Sequence, residues 1–274
     1  MQHIGRWTNL KKAVVMVVLF VGLVSFTGPP AILQGATTSQ EYGLVSITFD
    51  DGSVSQYTNG LRLAHHYGIR GTLLLATQHL NNVEEGSDTW GMSWRNAREF
   101  VKKGWEVGSH SVTHPRLTEL SESEIREELQ GSFFDIYRQV GVTPVSFASP
   151  FGAFDDRVVA IVRQIYTNHM GTWGGNEGRN PLSGVDHFRI HRLDVGYQDS
   201  AEQVCAEMRK TQADKTWLVL IFHHIVDGMP TEYQVSSTMF ESVMQCAAVM
   251  EKEGTVKFKP VVEALREIPN LGGS

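Results

Sequence analysis

Ser46-Ile47-Thr48-Phe49-Asp50-Asp51-Gly52 is the stretch on which the reading of this chain turns. Leu44, Val45, Ile47 and Phe49 are strand formers, and Gly52-Ser53 breaks the run. The segment therefore reads as a buried strand ending on two adjacent carboxylates. Side chains alternate along a strand, so Asp50 and Asp51 reach one site only where the backbone turns. In α/β sheets the carboxyl ends of strands are where chemistry collects. One acid could hold a metal while the other stays free as a base. An isolated Asp-Asp-Gly is more often a solvated turn, so the partners elsewhere in the chain decide its meaning.

Outward from this strand, short apolar runs alternate with longer amphipathic ones. Residues 59–67 read as a helix closed by Gly68, 71–76 as a second strand, 94–103 as a helix capped by Ser93, and 105–108 as a third strand. The clearest helix, 121–140, opens with a capping box at Ser121 and Glu124 and stops at Gly141. Residues 145–148, 189–195, 217–222 and 256–258 read as further strands, with helices over 155–166, 201–211, 238–252 and 261–266. This alternation implies parallel strands covered by crossover helices. It predicts one α/β domain of barrel-like kind over 43–268, between a linker at 37–42 and a tail at 269–274.

Bulk properties exclude some functions. The chain has 274 residues, a net charge of −6 and no basic cluster beyond its first residues, which argues against a nucleic-acid partner. Arg6, Lys11 and Lys12 precede an apolar run over 13–26 that is shorter than the ~20 residues a bilayer span needs. Residues 1–36 are accordingly expected to be an export signal, or an uncleaved membrane anchor because Gln34 suits a cleavage site poorly. Either alternative makes the domain secreted or cell-surface, touching the membrane only through that segment, and a monomer is expected. Cys205 and Cys246 fit one disulfide or two buried thiols equally well.

His110 and His114 follow the third strand at a spacing that lets both rings bind one metal. Pro115 disfavours helix at His114, so a single tight turn is expected. With an aspartate they make a mixed oxygen and nitrogen set that leaves a coordination position for water, as in catalytic zinc sites. His223-His224 end the apolar strand 217–222, where a proton-transfer role competes with that of an ordinary core histidine.

Together, Thr48-Phe49-Asp50-Asp51-Gly52, His110-Ser111-Val112-Thr113-His114, Ser149-Pro150-Phe151-Gly152 and Leu220-Ile221-Phe222-His223 resemble the ordered motifs of the polysaccharide deacetylases, the NodB homology group or carbohydrate esterase family 4. The resemblance implies a distorted (β/α) barrel of about seven parallel strands. It further implies removal of acetyl groups from N-acetylated glycans with a divalent metal, zinc first, with cobalt or manganese as alternatives. Carried over by position, Asp51, His110 and His114 would be metal ligands, Asp50 the general base and His223 the general acid. The backbone N–H of Phe151 would stabilise the oxyanion, and Pro150 and Phe151 would border the substrate. Trp173, in the glycine-rich loop 171–178, offers an aromatic face for a sugar.

Two departures accompany the resemblance. Best-known members carry an arginine before the Pro-aromatic pair, holding the base aspartate, whereas Phe147-Ala148-Ser149 stands here. Arg192, in the strand 189–195, is expected to supply that charge from elsewhere. No motif supplies a carboxylate for His223; Asp194 is either that partner or a solvated strand residue, and His224 falls where the family often has an acid. His65, His66 and His79 read as surface residues. Competing readings are a glycan-binding relative without catalysis, a deacetylase of O-acetyl xylan or a small amide, and a metal-free glycosidase with two acids. The choice among peptidoglycan, chitin-like polymers and exopolysaccharide sits in loops such as 81–90 and 171–181.

Overall fold

The strand carrying the two aspartates, β1 (Gly43–Asp51), is buried along its length up to Asp51. The structure is a computed structural model that describes residues 42–81, 91–172 and 178–268, all within the unit Ser39–Ser274. The expected signal segment 1–36, Trp173 and the tail 269–274 lie outside the described residues.

After β1 come β2 (Thr72–Leu75), β3 (Glu106–Ser109), β4 (Ser146–Ala148), β5 (Asn168–Gly171), β6 (Arg179–Pro181), β7 (Ile190–His191), β8 (Leu193–Asp194), β9 (Thr216–Phe222), β10 (His224–Val226), β11 (Gln234–Ser236) and β12 (Val256–Phe258). The α-helices are α1 (Arg62–His66), α2 (Thr77–Asn81), α3 (Trp94–Lys102), α4 (Glu122–Val140), α5 (Asp156–Val162), α6 (Ala201–Asp214), α7 (Ser237–Glu253) and α8 (Val261–Glu267). Helix α3 starts at the Ser93 capping box and α4 at that of Ser121 and Glu124, and Gly141 ends α4 at φ 84°.

β9, β1, β2, β3, β4 and β5 run parallel side by side. The expected single strand over 189–195 is instead two pieces broken at Arg192. β7 pairs with β5, and β8 pairs with β9. This one segment therefore changes partner in mid-course: Arg192 N–H donates to Gly171 on one side, and Val195 N–H to Ile221 on the other. It brings the two edges of the sheet together into a nearly closed barrel of seven staves. β12 pairs with Gly43–Val45 whereas β2 pairs with Thr48–Asp51, so β12 fills the gap where β1 and β2 diverge. β6, a three-residue strand ending on a proline, runs antiparallel to β9 and carries too short a pattern to be read from sequence.

Alternation along β1 sorts its side chains. Val45, Ile47 and Phe49 pack outward under the helices, where Phe49 lies 4.7 Å from Trp105 and 5.7 Å from Phe240 between ring centroids. Burying each such aromatic stabilises the fold by about 1.5–3 kcal/mol. Leu44, Ser46, Thr48 and Asp50 form the opposite row, which faces the barrel interior. Leu44 packs there with Trp217 and Val219, and Ser46 accepts the Trp217 indole N–H at 3.0 Å. Polarity thus rises along the row until it ends at Asp50. Cys205 and Cys246 form a disulfide joining α6 to α7, which decides the alternative left open above. Among the described residues no helix is long and apolar enough to cross a membrane.

Candidate active site and metal centre

Asp50 and Asp51 converge because the backbone turns at the end of β1: Asp51 has φ 77° and Gly52 φ 86°. The segment after β3 is one tight turn, as Pro115 suggests, with Ser111 at φ 72° and His114 at φ 60°. Glu128 on α4 accepts both the Val112 and Thr113 N–H groups and the Thr113 hydroxyl, pinning this turn. Six non-glycine residues among those described have positive φ, and five of them, Asp51, Ser111, His114, Phe151 and Tyr233 with Lys215 excepted, lie in or beside one cleft. Each such conformation costs on the order of 1–3 kcal/mol, and that strain gathers where function needs it.

Asp51, His110 and His114 each offer one ligand atom, all within 4.8 Å of one another. Asp51 Oδ1 is 3.3 Å from His114 Nε2 and 3.5 Å from His110 Nε2. His110 Nδ1–H donates to the Ala148 carbonyl at 2.8 Å, which leaves its Nε2 lone pair aimed at the cluster. Burial holds both imidazoles uncharged, His110 at about 3 and, with His79 beside it, His114 at about 4. Burial and then, against the pull of His223, the charge of Asp50 push Asp51 up to about 6. Asp51 Oδ1 is buried without a hydrogen-bond partner. Two imidazole lone pairs and an orphaned carboxylate oxygen with no proton to share are a donor set that fits a divalent cation.

Asp50 points into the barrel beside this cluster, with Oδ2 3.6 Å from His110 Nε2. Arg192, at the break between β7 and β8, donates from Nη1 to Asp50 Oδ1 at 2.8 Å. Burial alone would raise the Asp50 pKa, but Arg192, His110 and His223 hold it at about 2. His223, just past β9, presents Nδ1 to Asp194 Oδ1 at 3.3 Å, off the axis of a well-formed hydrogen bond. Burial works against its imidazolium, yet Asp194 and Asp50 outweigh that and raise its pKa. Phe151 follows Pro150 in a left-handed conformation, φ 57°, with its ring 4.6 Å from His114 and over half exposed at the cleft mouth.

Residues 38–168 match the sequence profile described as polysaccharide deacetylase. Over this segment the chain is similar to the polysaccharide deacetylase family. A bifunctional xylanase/deacetylase of Pseudobutyrivibrio xylanivorans is 29% identical over 52% of this chain and 22% of its own length. A peptidoglycan-N-acetylglucosamine deacetylase of Listeria monocytogenes is 30% identical over 42% of this chain and 22% of its own. The chain thus spans less than a quarter of these relatives. In fold it is similar to a carbohydrate esterase family 4 domain of a xylanase from the hindgut metagenome of Trinervitermes trinervoides, with a TM-score of 0.57 and 19% identity over 82% of this chain and 91% of that one. A family 4 carbohydrate esterase of Streptomyces lividans gives a TM-score of 0.54 and 18% identity over 78% and 90%.

Several residues of this site escaped the sequence reading. His79, taken for a surface residue, is half-buried with its ring 6.0 Å from His114, because α2 folds back over the cluster. Arg116 lies over the Phe151 ring at 4.8 Å, and Tyr233 lines the cleft near His223. Glu128 is one acid among several on α4, and only its position against the histidine turn distinguishes it.

Proposed function

We propose that this chain is an N-deacetylase of an N-acetylated glycan, acting outside the cytoplasm, with Asp51, His110 and His114 holding a divalent metal, zinc first. The observation carrying this reading is the meeting of that donor set, a paired carboxylate at Asp50 and the His223 imidazole beside Asp194 around one cleft. A divalent ion held there would polarise the acetyl carbonyl and make water acidic enough for so weak a base as Asp50.

Asp50, ionised and fixed by Arg192, accepts a proton from the attacking water. The Phe151 backbone N–H donates to the oxygen that gains charge as the carbonyl carbon becomes tetrahedral. His223 gives its proton to the departing nitrogen; the raised pKa keeps it loaded, and Asp194 steadies the ring from the far side. The opposite pKa shifts of Asp50 and His223 separate base from acid, as this reaction requires. Pro150 and Phe151 border the acetyl-bearing sugar, and Trp173 remains a candidate stacking face.

Acetate release from a panel of peptidoglycan, chitin, exopolysaccharide and acetyl-xylan fragments, with chelator and after zinc is restored, tests the reading. Release from an N-acetylated member that the chelator abolishes and zinc restores is expected. Release unaffected by chelator would sink it.

A further inference from the structure

The ladder between β1 and β9 ends at the pair Phe49 and Phe222. The next residue on each strand is Asp50 on one and His223 on the other. Between their backbone carbonyls lies the fully buried side chain of Gln56, whose Nε2 donates to both, to His223 at 2.7 Å. One amide group thus ties the two strand ends together where sheet pairing has stopped.

Gln56 opens a π-helical segment, Gln56–Leu61, a rare local geometry frequent at functional sites. The same stretch grips the chain beyond β9 at further points. Ser53 Oγ lies 2.9 Å from His224 Nδ1, Ser55 Oγ accepts the Ile225 N–H at 3.1 Å, and Asn59 Nδ2 donates to the Ile225 carbonyl at 2.8 Å. Four side chains between residues 53 and 59 therefore hold three consecutive residues, 223 to 225.

From this lacing we infer that Gln56 is a positioning residue that sets the separation between Asp50 and His223, an inference that rests on the roles proposed above for those two. The reaction needs both groups within hydrogen-bond reach of one acetyl group, and a misplacement of about 1 Å can cost a hundredfold in rate. The hydrogen bonds of Gln56 go to the backbone carbonyls of Asp50 and His223, not to the side chains of the three candidate metal ligands, so its removal should spare metal binding.

The test compares the zinc-loaded full chain with Gln56→Met, which keeps the side-chain length but has no donor, and Gln56→Glu, whose carboxylate repels both carbonyls. Acetate release gives kcat and KM, competition with a chromophoric chelator gives zinc affinity, and thermal melting gives stability. Expected is a kcat lower by roughly tenfold to a hundredfold in Gln56→Met and lower still in Gln56→Glu, with KM within about twofold and zinc affinity unchanged. Thr58→Ala, exposed on the same π-helix, keeps the wild-type kcat. A wild-type kcat in Gln56→Met overturns the inference, as does a loss of rate matched by loss of zinc or of folded protein. A wild-type chain that releases no acetate from any glycan instead counts against the deacetylase reading, and the inference falls with it.

Discussion

Arg192 Nη1 lies 2.8 Å from Asp50 Oδ1, with both side chains shut away from solvent. The two residues are 142 positions apart in the chain but come from staves separated only by β9, and the pairing holds a carboxylate ionised where burial alone would neutralise it. Removing the cation should raise the Asp50 pKa. In Arg192→Ala the acid limb of kcat/KM is therefore expected to move to higher pH, with kcat lower by on the order of a hundredfold. Arg192→Lys, which keeps charge but not the planar fork, should fall between. An unchanged pH profile in Arg192→Ala would refute the pairing's catalytic role.

Asp50 and Asp51 are neighbours with different surroundings, and their substitutions should separate. Asp50→Asn is expected to retain zinc, read by metal analysis, and to lose at least roughly a hundredfold in kcat. Asp51→Asn and His114→Ala should lose zinc affinity outright. Zinc lost from Asp50→Asn but kept by Asp51→Asn would mean the two roles are reversed.

Asp194 raises the His223 pKa, so it should hold up the alkaline limb of the profile, where the acid loses its proton. In Asp194→Asn that limb is expected to shift to lower pH with the acid limb in place. A shift confined to the acid limb would assign Asp194 to Asp50 instead.

His169 sits beneath the Pro150 loop, with Nε2 2.8 Å from Ser149 Oγ and Nδ1–H donating to Phe188 at 2.9 Å. Burial holds it at about 4, below the ordinary 6.5. Below pH 6.5 the unfolded chain takes up a proton here that the folded chain refuses, so this residue removes stability as pH falls from 6.5 toward 4. Denaturation of His169→Gln at pH 7 and pH 5 should show that the acid loss shrinks by on the order of 2 kcal/mol. An identical pH dependence in variant and wild type would mean that His169 is protonated in the folded chain.

Much of the architecture was set locally and was legible in the residues themselves. The apolar run that stops at Asp50-Asp51-Gly52, the N-cap at Ser93, the capping box at Ser121, the glycine at 141 and the four-residue spacing of His110 and His114 act within a few positions of themselves. Strand ends and helix starts follow from them without a partner. Alternation along 189–195 pointed to a strand but not to its break, because the break exists only where β5 and β9 compete for the same segment.

What the three-dimensional packing alone decided are the contacts between distant parts of the chain. Asp50 and Arg192 are 142 positions apart, and Gln56 and His223 are 167. The disulfide between Cys205 and Cys246 and the approach of His79 to His114 likewise depend on how helices pack over the sheet. Sequence periodicity tells which face of an element is buried; it does not tell which other element will meet that face. That is settled when the barrel closes, and closure brings the ends of β1, β3 and β9 to one cleft.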